Sequence, residues 1–148
     1  MPDENVLRGS MDAGYIVQVV HLAILILAAA FLSITFLQSG LDKVFDYKSN
    51  LSFMKEQFSK TFLKSMIGIL LPVILLCELI TGFFCVFGAI LLYIGDGIYF
   101  IAAGFLFAGI TLLMLLFGQR VSKQYAGAVS LTGYFIIALI GLAIVVMH

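Results

Sequence analysis

The sequence predicts an all-α membrane protein, a bundle of four transmembrane helices with a short amphipathic helix at the interface between the first two. Composition is the first observation: 63% of the 148 residues are hydrophobic and 11% are charged, whereas soluble domains carry about 25% charged residues. The second is that the apolar residues form four runs of roughly 20 residues or more, the length that crosses a bilayer. We therefore expect residues 1–148 to form one integral membrane domain.

The four predicted spans cover residues 14–38, 65–94, 98–117 and 131–147. The second exceeds a perpendicular crossing, so it should tilt or project beyond the hydrocarbon. Gly95-Asp96-Gly97 permits a tight turn, which makes spans two and three antiparallel neighbours. The connection 118–130 is longer and is expected to be a basic loop.

Residues 51–64 between the first two spans are expected to form the interfacial helix. Four apolar residues recur there at helical spacing and make one stripe, while charged residues fill the other faces. The stripe consists of Leu51, Met54, Phe58 and Phe62, and the charged residues are Lys55, Glu56, Lys60 and Lys64. Asn50 is the expected N-cap. The alternative is that this segment is the solvated beginning of span two.

The distribution of Lys and Arg predicts the orientation in the membrane. Loops 39–64 and 118–130 hold seven of the eight Lys and Arg residues, and the remaining one, Arg8, lies in the N-terminal tail on the other side. The positive-inside rule then places these loops in the cytoplasm and both termini outside. We expect the protein to lie in a bacterial cytoplasmic membrane. The net charge is zero, so the chain offers no basic face for nucleic acid.

Small residues predict where the spans approach each other, because lipid removes the hydrophobic drive between helices. The candidates are Ala29 with Ser33, Thr81 with Cys85 and Ala89, Gly104 with Ala108, and Gly133 with Gly141.

Glu78 is the outstanding candidate for chemistry, because it interrupts an otherwise uncharged apolar run from Leu70 to Phe84. An ionised carboxylate at the bilayer centre costs roughly 2.5–3.5 kcal/mol on insertion scales. A partner, a proton or a water-lined cavity must therefore neutralise it. Counting along span two places Glu78 near mid-membrane. The functional reading is a proton-carrying or ligand-binding carboxylate, and the alternative is a neutral glutamic acid hydrogen-bonded to a neighbouring helix.

His21 is the one histidine within a predicted span, and depth counting places it near the level of Glu78. A His21–Glu78 pair is therefore one hypothesis for an intramembrane polar site. The alternative is a neutral histidine bonded to a backbone carbonyl or to Gln18. No metal-ligand cluster, phosphate-binding loop or nucleophile–base motif occurs in the sequence, and no metal site is expected.

The end of the first span carries a second polar group, Phe36-Leu37-Gln38-Ser39-Gly40-Leu41-Asp42-Lys43 followed by Asp46. Ser39-Gly40 can end or bend the helix at the interface. Lys43 can hydrogen-bond the last carbonyls, or form a small ion-pair cluster with Asp42 and Asp46. Ordinary capping of the helix end is the alternative.

These residues resemble the DoxX-like family of small four-helix membrane proteins. The segment from Phe36 to Lys43, with Asp46, is similar to the family's F-x-x-S-G-x-x-K-x-x-D. Glu78-Leu79-Ile80-Thr81-Gly82 is similar to its glutamate followed four residues later by glycine. The chain departs from the family at the arginine that many relatives carry in helix one, because Ala28-Ala29-Ala30 stand there. If that arginine pairs with the glutamate, Glu78 needs another partner, which keeps His21 a candidate.

The resemblance implies a membrane subunit of a redox or sulfur-metabolising complex. The leading functional expectation is an accessory or anchor subunit that contacts other membrane subunits and has no catalysis of its own. The alternative is a redox protein that binds a quinone or a small solute through Glu78 and His21. A proton-coupled carrier is a third option, which would need a water path to Glu78.

Overall fold

The computed structural model describes residues 4–147 and confirms an all-α bundle. Its elements are α1 (Glu4–Phe45), α2 (Tyr47–Gln57), a 3-10 helix (Phe62–Met66), α3 (Ile67–Tyr93), α4 (Ile98–Val121) and α5 (Tyr125–Met147). Four segments are long and apolar enough to cross a membrane: most of α1, α3 with its 3-10 start, α4 and α5. The protein is therefore a multi-pass membrane protein whose exposed apolar faces associate with a lipid bilayer.

The four long helices alternate in direction around the bundle. α1 and α4 are diagonal partners, and each packs along both α3 and α5. Glycines allow the closest approaches: the Gly88 backbone lies against that of Ile101, and Gly104 lies against Cys85. The prediction of contact through Gly104 is thus correct. Gly133 has open space beside it, so its predicted packing role is wrong.

The predicted tight turn joins α3 to α4. Gly95 adopts a left-handed φ of 98°, and the Asp96 amide donates to the Leu91 carbonyl at 3.0 Å. The Gly95 amide donates to the Leu92 carbonyl at 3.2 Å. Together these bonds form a Schellman motif, which closes α3 and satisfies its last carbonyls.

The connection between α4 and α5 is much shorter than the predicted loop 118–130. α4 continues to Val121 and α5 begins at Tyr125. A second Schellman motif lies between them, with the Gln124 amide donating to the Gln119 carbonyl at 2.8 Å. Lys123 takes the left-handed position with φ 61°. The predicted loop 118–130 is wrong because most of its polar and small residues are compatible with a helix.

The predicted interfacial helix 51–64 is divided into two pieces. α2 begins earlier, at Tyr47, and ends at Gln57, and the chain then turns before the 3-10 helix. The break falls at Ser59-Lys60-Thr61, where Thr61 is extended and its hydroxyl donates to the Phe58 carbonyl at 2.9 Å. Short polar side chains offer the backbone such local bonds in place of helical ones, which explains the break.

Asn50 is not the N-cap of α2, because the helix already begins at Tyr47. Its side-chain amide instead donates to the carbonyls of Asp46, at 2.9 Å, and Asp42, at 3.4 Å. Asn50 therefore bridges the junction between α1 and α2.

The apolar stripe of α2 faces the bundle. Phe58 is buried with Leu63 and Ile67, and Leu51 and Met54 pack against this cluster. Phe62, the last member of the predicted stripe, is instead 71% exposed, because the turn after Phe58 shifts the helical register. We call α2 and the 3-10 helix together the cap, since they cover the ends of α3 and α4. A bond from the Gln57 amide to the Ser122 hydroxyl, at 3.1 Å, fastens it.

α1 extends beyond the predicted span 14–38 in both directions. Ser39-Gly40 neither ends nor interrupts it, since the helix continues to Phe45. At about 1.5 Å per residue, α1 exceeds α4 in length by roughly 27 Å. Every residue from Met11 to Val20 is exposed, so this segment of α1 lies outside the packed bundle.

Candidate functional site

The polar site of the bundle is assembled from α1 and α3. Ser39 and Lys43 lie four residues apart on α1, so their side chains share one face of that helix. Glu78 lies on α3 and is almost fully buried, with 1% exposure. Because α1 and α3 pack along each other, all three side chains meet at the interface between these helices.

The Glu78 carboxylate is held by a closed ring of bonds. The Lys43 ammonium donates to Oε2 at 2.8 Å and to Oε1 at 3.0 Å. The Ser39 hydroxyl donates to Oε1 at 3.0 Å, while its oxygen accepts from Lys43 at 2.7 Å. The Ser39 carbonyl also lies 3.1 Å from the ammonium. Both carboxylate oxygens and the ammonium therefore find partners within the protein.

Removing two ions from water is costly, and such a pair is tolerated only when its remaining hydrogen-bonding capacity is filled. Here the Ser39 hydroxyl fills that capacity, because it donates to Glu78 and accepts from Lys43. The Lys43 side chain keeps 17% exposure, so the ammonium lies at the edge of the packed region while the carboxylate lies inside it. The pair neutralises the charge that makes Glu78 improbable in an apolar helix.

Two glycines bring the helices close enough for this contact. A Cβ on Gly40 would lie 2.7 Å from the Leu79 side chain and 3.6 Å from the Glu78 Cβ. A Cβ on Gly82 would lie 2.5 Å from the Leu37 side chain. The glycines of both sequence motifs therefore flank the ion pair.

The site lies on the cap side of the middle of the bundle. Thr81 shares a buried hydrogen bond of 3.1 Å with Thr111, and Thr111 is about 15 Å from the end of α4 at Val121. Glu78, a turn closer to the cap, lies about 10 Å from that end.

The structure separates His21 from Glu78. Both Ser39 and His21 lie on the uninterrupted helix α1, and at about 1.5 Å per residue they are roughly 27 Å apart. Because Glu78 contacts Ser39 directly, the hypothesis of a His21–Glu78 pair is wrong. His21 is half-buried at the far end of the bundle.

Lys43 does not form the predicted cluster with Asp42 and Asp46. Among the side chains that the structure describes, the Lys43–Glu78 contact is the one ion pair. Asp42 and Asp46 are exposed, and their carbonyls accept from Asn50. Lys43 also donates to the Ser39 carbonyl at 3.1 Å, but this carbonyl is not among the last of the helix, which continues to Phe45.

An apolar cavity of about 140 Å³ lies between the cap, α3 and α4. Its lining is apolar apart from two glutamines: Met54, Gln57, Phe58, Ile74, Met114, Leu115, Gly118 and Gln119. Ile74 is one helical turn from Glu78 on α3. The cavity therefore lies on the same side of the bundle as the ion pair.

Sequence reasoning named each residue of the polar site but assigned the wrong partner. The missing signal was the spacing of Ser39 and Lys43, which puts a donor and a cation on one face of α1 four residues apart. No cluster of three metal-ligating side chains exists within the described part of the chain.

Comparison with family models, with curated proteins and with solved structures yields no match for this chain. The site is therefore interpreted from its own geometry.

Proposed function

We propose that this chain is an accessory or anchor subunit of the DoxX-like type, working within a larger bacterial membrane complex and not catalytic alone. The observation that carries the proposal is the ring formed by Ser39, Lys43 and Glu78. It unites the two motifs on which the resemblance rests, although they are 35 positions apart in the chain. The pair fastens α1 to α3, which suits a structural part of an assembly.

The exposed segment of α1 supports a role in assembly. Every residue from 11 to 20 is exposed, including large apolar side chains such as Ile16, at 60% exposure, and Val17, at 51%. A neighbouring subunit could pack along this segment, which extends beyond the helices of the bundle.

The test is purification of the tagged full chain from native membranes in a mild detergent. A photo-reactive amino acid at Val17 should give a discrete cross-linked product with another membrane protein in fixed stoichiometry. The same probe at Leu113, which is 52% exposed on α4, serves as the control for contact with lipid alone. A lone monomer that yields identical products at both positions would contradict the proposal.

The second candidate is a protein that binds a quinone or a small solute, and the cavity behind the cap favours it. Its volume of about 140 Å³ is close to that of an engineered apolar cavity of about 150 Å³ that holds benzene. Gln57 and Gln119, in place of Glu78 and His21, would supply polar contacts to a ring carbonyl.

Titration of the purified protein with a short-chain quinone separates the two candidates. Met114→Phe fills the cavity without touching the ion pair, and should abolish saturable binding if a ring occupies that space. If Met114→Phe binds the quinone as well as the unmodified protein does, or if the unmodified protein binds none, the quinone-binding candidate is rejected and the accessory role remains. A proton-coupled carrier fits the geometry less well, because Glu78 is 1% exposed and already bonded to Lys43.

A further inference from the structure

We propose that the cap carries a binding site for the headgroup of an anionic phospholipid. An open depression of about 450 Å³ lies where the turn after α2 enters the 3-10 helix. Lys55, Thr61, Phe62, Lys64 and Ser65 line it. Two lysines, a threonine and a serine thus line one space. The Thr61 hydroxyl donates to the Phe58 carbonyl, which leaves the two ammonium groups and the Ser65 hydroxyl as donors suited to a phosphate ester.

The positive charge of this depression is unpaired. Among the side chains that the structure describes, the only ion pair is that of Lys43 with Glu78, so Lys55 and Lys64 have no carboxylate within bonding distance. The one acid of α2, Glu56, lines a different depression together with Phe53, Gln57 and Gln124. Lys60, on the turn between the two lysines, is also exposed and adds to the positive field.

The surroundings favour a lipid over a soluble phosphate. Phe62 is 71% exposed at the rim of the depression, and Met66 and Ile69 follow with 47% and 66% exposure. Along this side of the chain, basic groups therefore give way to apolar ones as the 3-10 helix passes into α3. An anionic phospholipid has the same order, a charged headgroup followed by acyl chains. Basic segments next to membrane-spanning helices attract such lipids.

The chain contains no tryptophan, so a single Phe62→Trp substitution places a unique fluorophore beside the depression. The full-length variant is reconstituted in phosphatidylcholine vesicles that contain a minor fraction of lipid with brominated acyl chains. The brominated lipid is phosphatidylglycerol in one arm and phosphatidylcholine in the other. We expect brominated phosphatidylglycerol to quench the Trp fluorescence at least about twofold more at equal mole fraction, and the excess to decline as salt screens the lysines.

Tyr99→Trp is the matched control, because Tyr99 is 84% exposed at the opposite end of the bundle; there the two brominated lipids should quench equally. Adding Lys55→Gln and Lys64→Gln to Phe62→Trp should remove the excess, whereas Lys→Arg at both positions should retain it. Both lysines are exposed, so these changes leave the packed bundle intact. Equal quenching at Phe62→Trp, or an excess that survives the Gln substitutions, would overturn the proposal. If inorganic phosphate abolishes the excess at low concentration, the site takes free phosphate and the assignment to lipid is wrong.

Discussion

The Lys43 ammonium on α1 lies 2.8 Å from the Glu78 carboxylate on α3, 35 positions further along the chain. This contact crosses the interface between the two helices at a point where Gly40 and Gly82 remove the side chains that would separate them. The ion pair and the helix packing therefore depend on each other. A substitution that disrupts either the ion pair or the helix packing should therefore lower the stability of the whole bundle.

Lys43→Met should destabilise the protein strongly, because it leaves the Glu78 carboxylate buried without its cation. Loss of one partner of a buried pair costs about 3–5 kcal/mol, and the residual exposure of Lys43 places the expected value at the lower end. Unfolding in mixed micelles with increasing denaturing detergent measures this free energy. The double variant Lys43→Met, Glu78→Met removes both charges and should recover most of the loss.

Asp42→Asn provides the control for a charge change at the same end of α1. Asp42 is exposed and takes no part in the ion pair. The free energy of unfolding of the Asp42→Asn variant should therefore stay within about 0.5 kcal/mol of that of the unmodified protein. If Lys43→Met is equally mild, or if the double variant is as unstable as the single one, the contact does not fasten the helices.

Much of the architecture could be predicted because the bilayer imposes it. Four apolar runs of spanning length leave little choice but four helices, and Gly95 with Gly97 indicated the tight turn after α3. Glu78 could be identified as needing a partner on energetic grounds alone. These inferences depend only on local composition, which can be taken directly from the sequence.

The partner of Glu78 could not be fixed in the same way, because depth counting assumes that each helix begins at the membrane surface. α1 instead begins well before the packed bundle, where residues 11–20 are exposed, and continues to Phe45. Ser39 and Lys43 therefore lie opposite Glu78, and His21 does not. The division of residues 51–64 depends on Thr61, whose local bond to the Phe58 carbonyl outweighs a regular helical pattern. Such local competition between backbone and side chain leaves little trace in hydrophobic periodicity.

Gly88→Ala should destabilise the packing of α3 against α4. A methyl group there would meet the backbone nitrogen of Ile101 at 2.6 Å, and a backbone cannot turn aside as a side chain can. We expect a loss of about 1–3 kcal/mol, typical of overpacking, in the same unfolding measurement. Gly133→Ala is the matched control, since nothing lies within 4 Å of the added group. There the greater helix propensity of alanine should be neutral or stabilise by up to about 1 kcal/mol.

Lys123→Gly should stabilise the connection between α4 and α5. Lys123 holds a left-handed φ of 61°, a conformation that costs an L-residue roughly 1–2 kcal/mol and costs glycine nothing. The expected gain is about 0.5–1 kcal/mol, because glycine also gains freedom in the unfolded chain. Gly95→Ala is the converse change at the equivalent position after α3, where φ is 98°. Gly95→Ala should lower the melting temperature, whereas Lys123→Gly should raise it. If both variants shift the melting temperature in the same direction, the left-handed backbone conformation does not explain the effect.

Phe58→Ala should release the cap from the bundle while leaving the four long helices assembled. Phe58 is 4% exposed and is the large side chain that joins α2 to Leu63 and Ile67, and truncation of a buried Phe costs about 3–5 kcal/mol. Since α2 is held by this cluster and by the Gln57–Ser122 bond, that loss is large enough to open it locally. Hydrogen exchange followed by mass spectrometry should show faster exchange of the α2 amides, with α4 and α5 unchanged. Phe53→Ala, at a residue with 64% exposure on the same helix, should leave the pattern as it is; equal acceleration in both variants would mean that α2 is not anchored through Phe58.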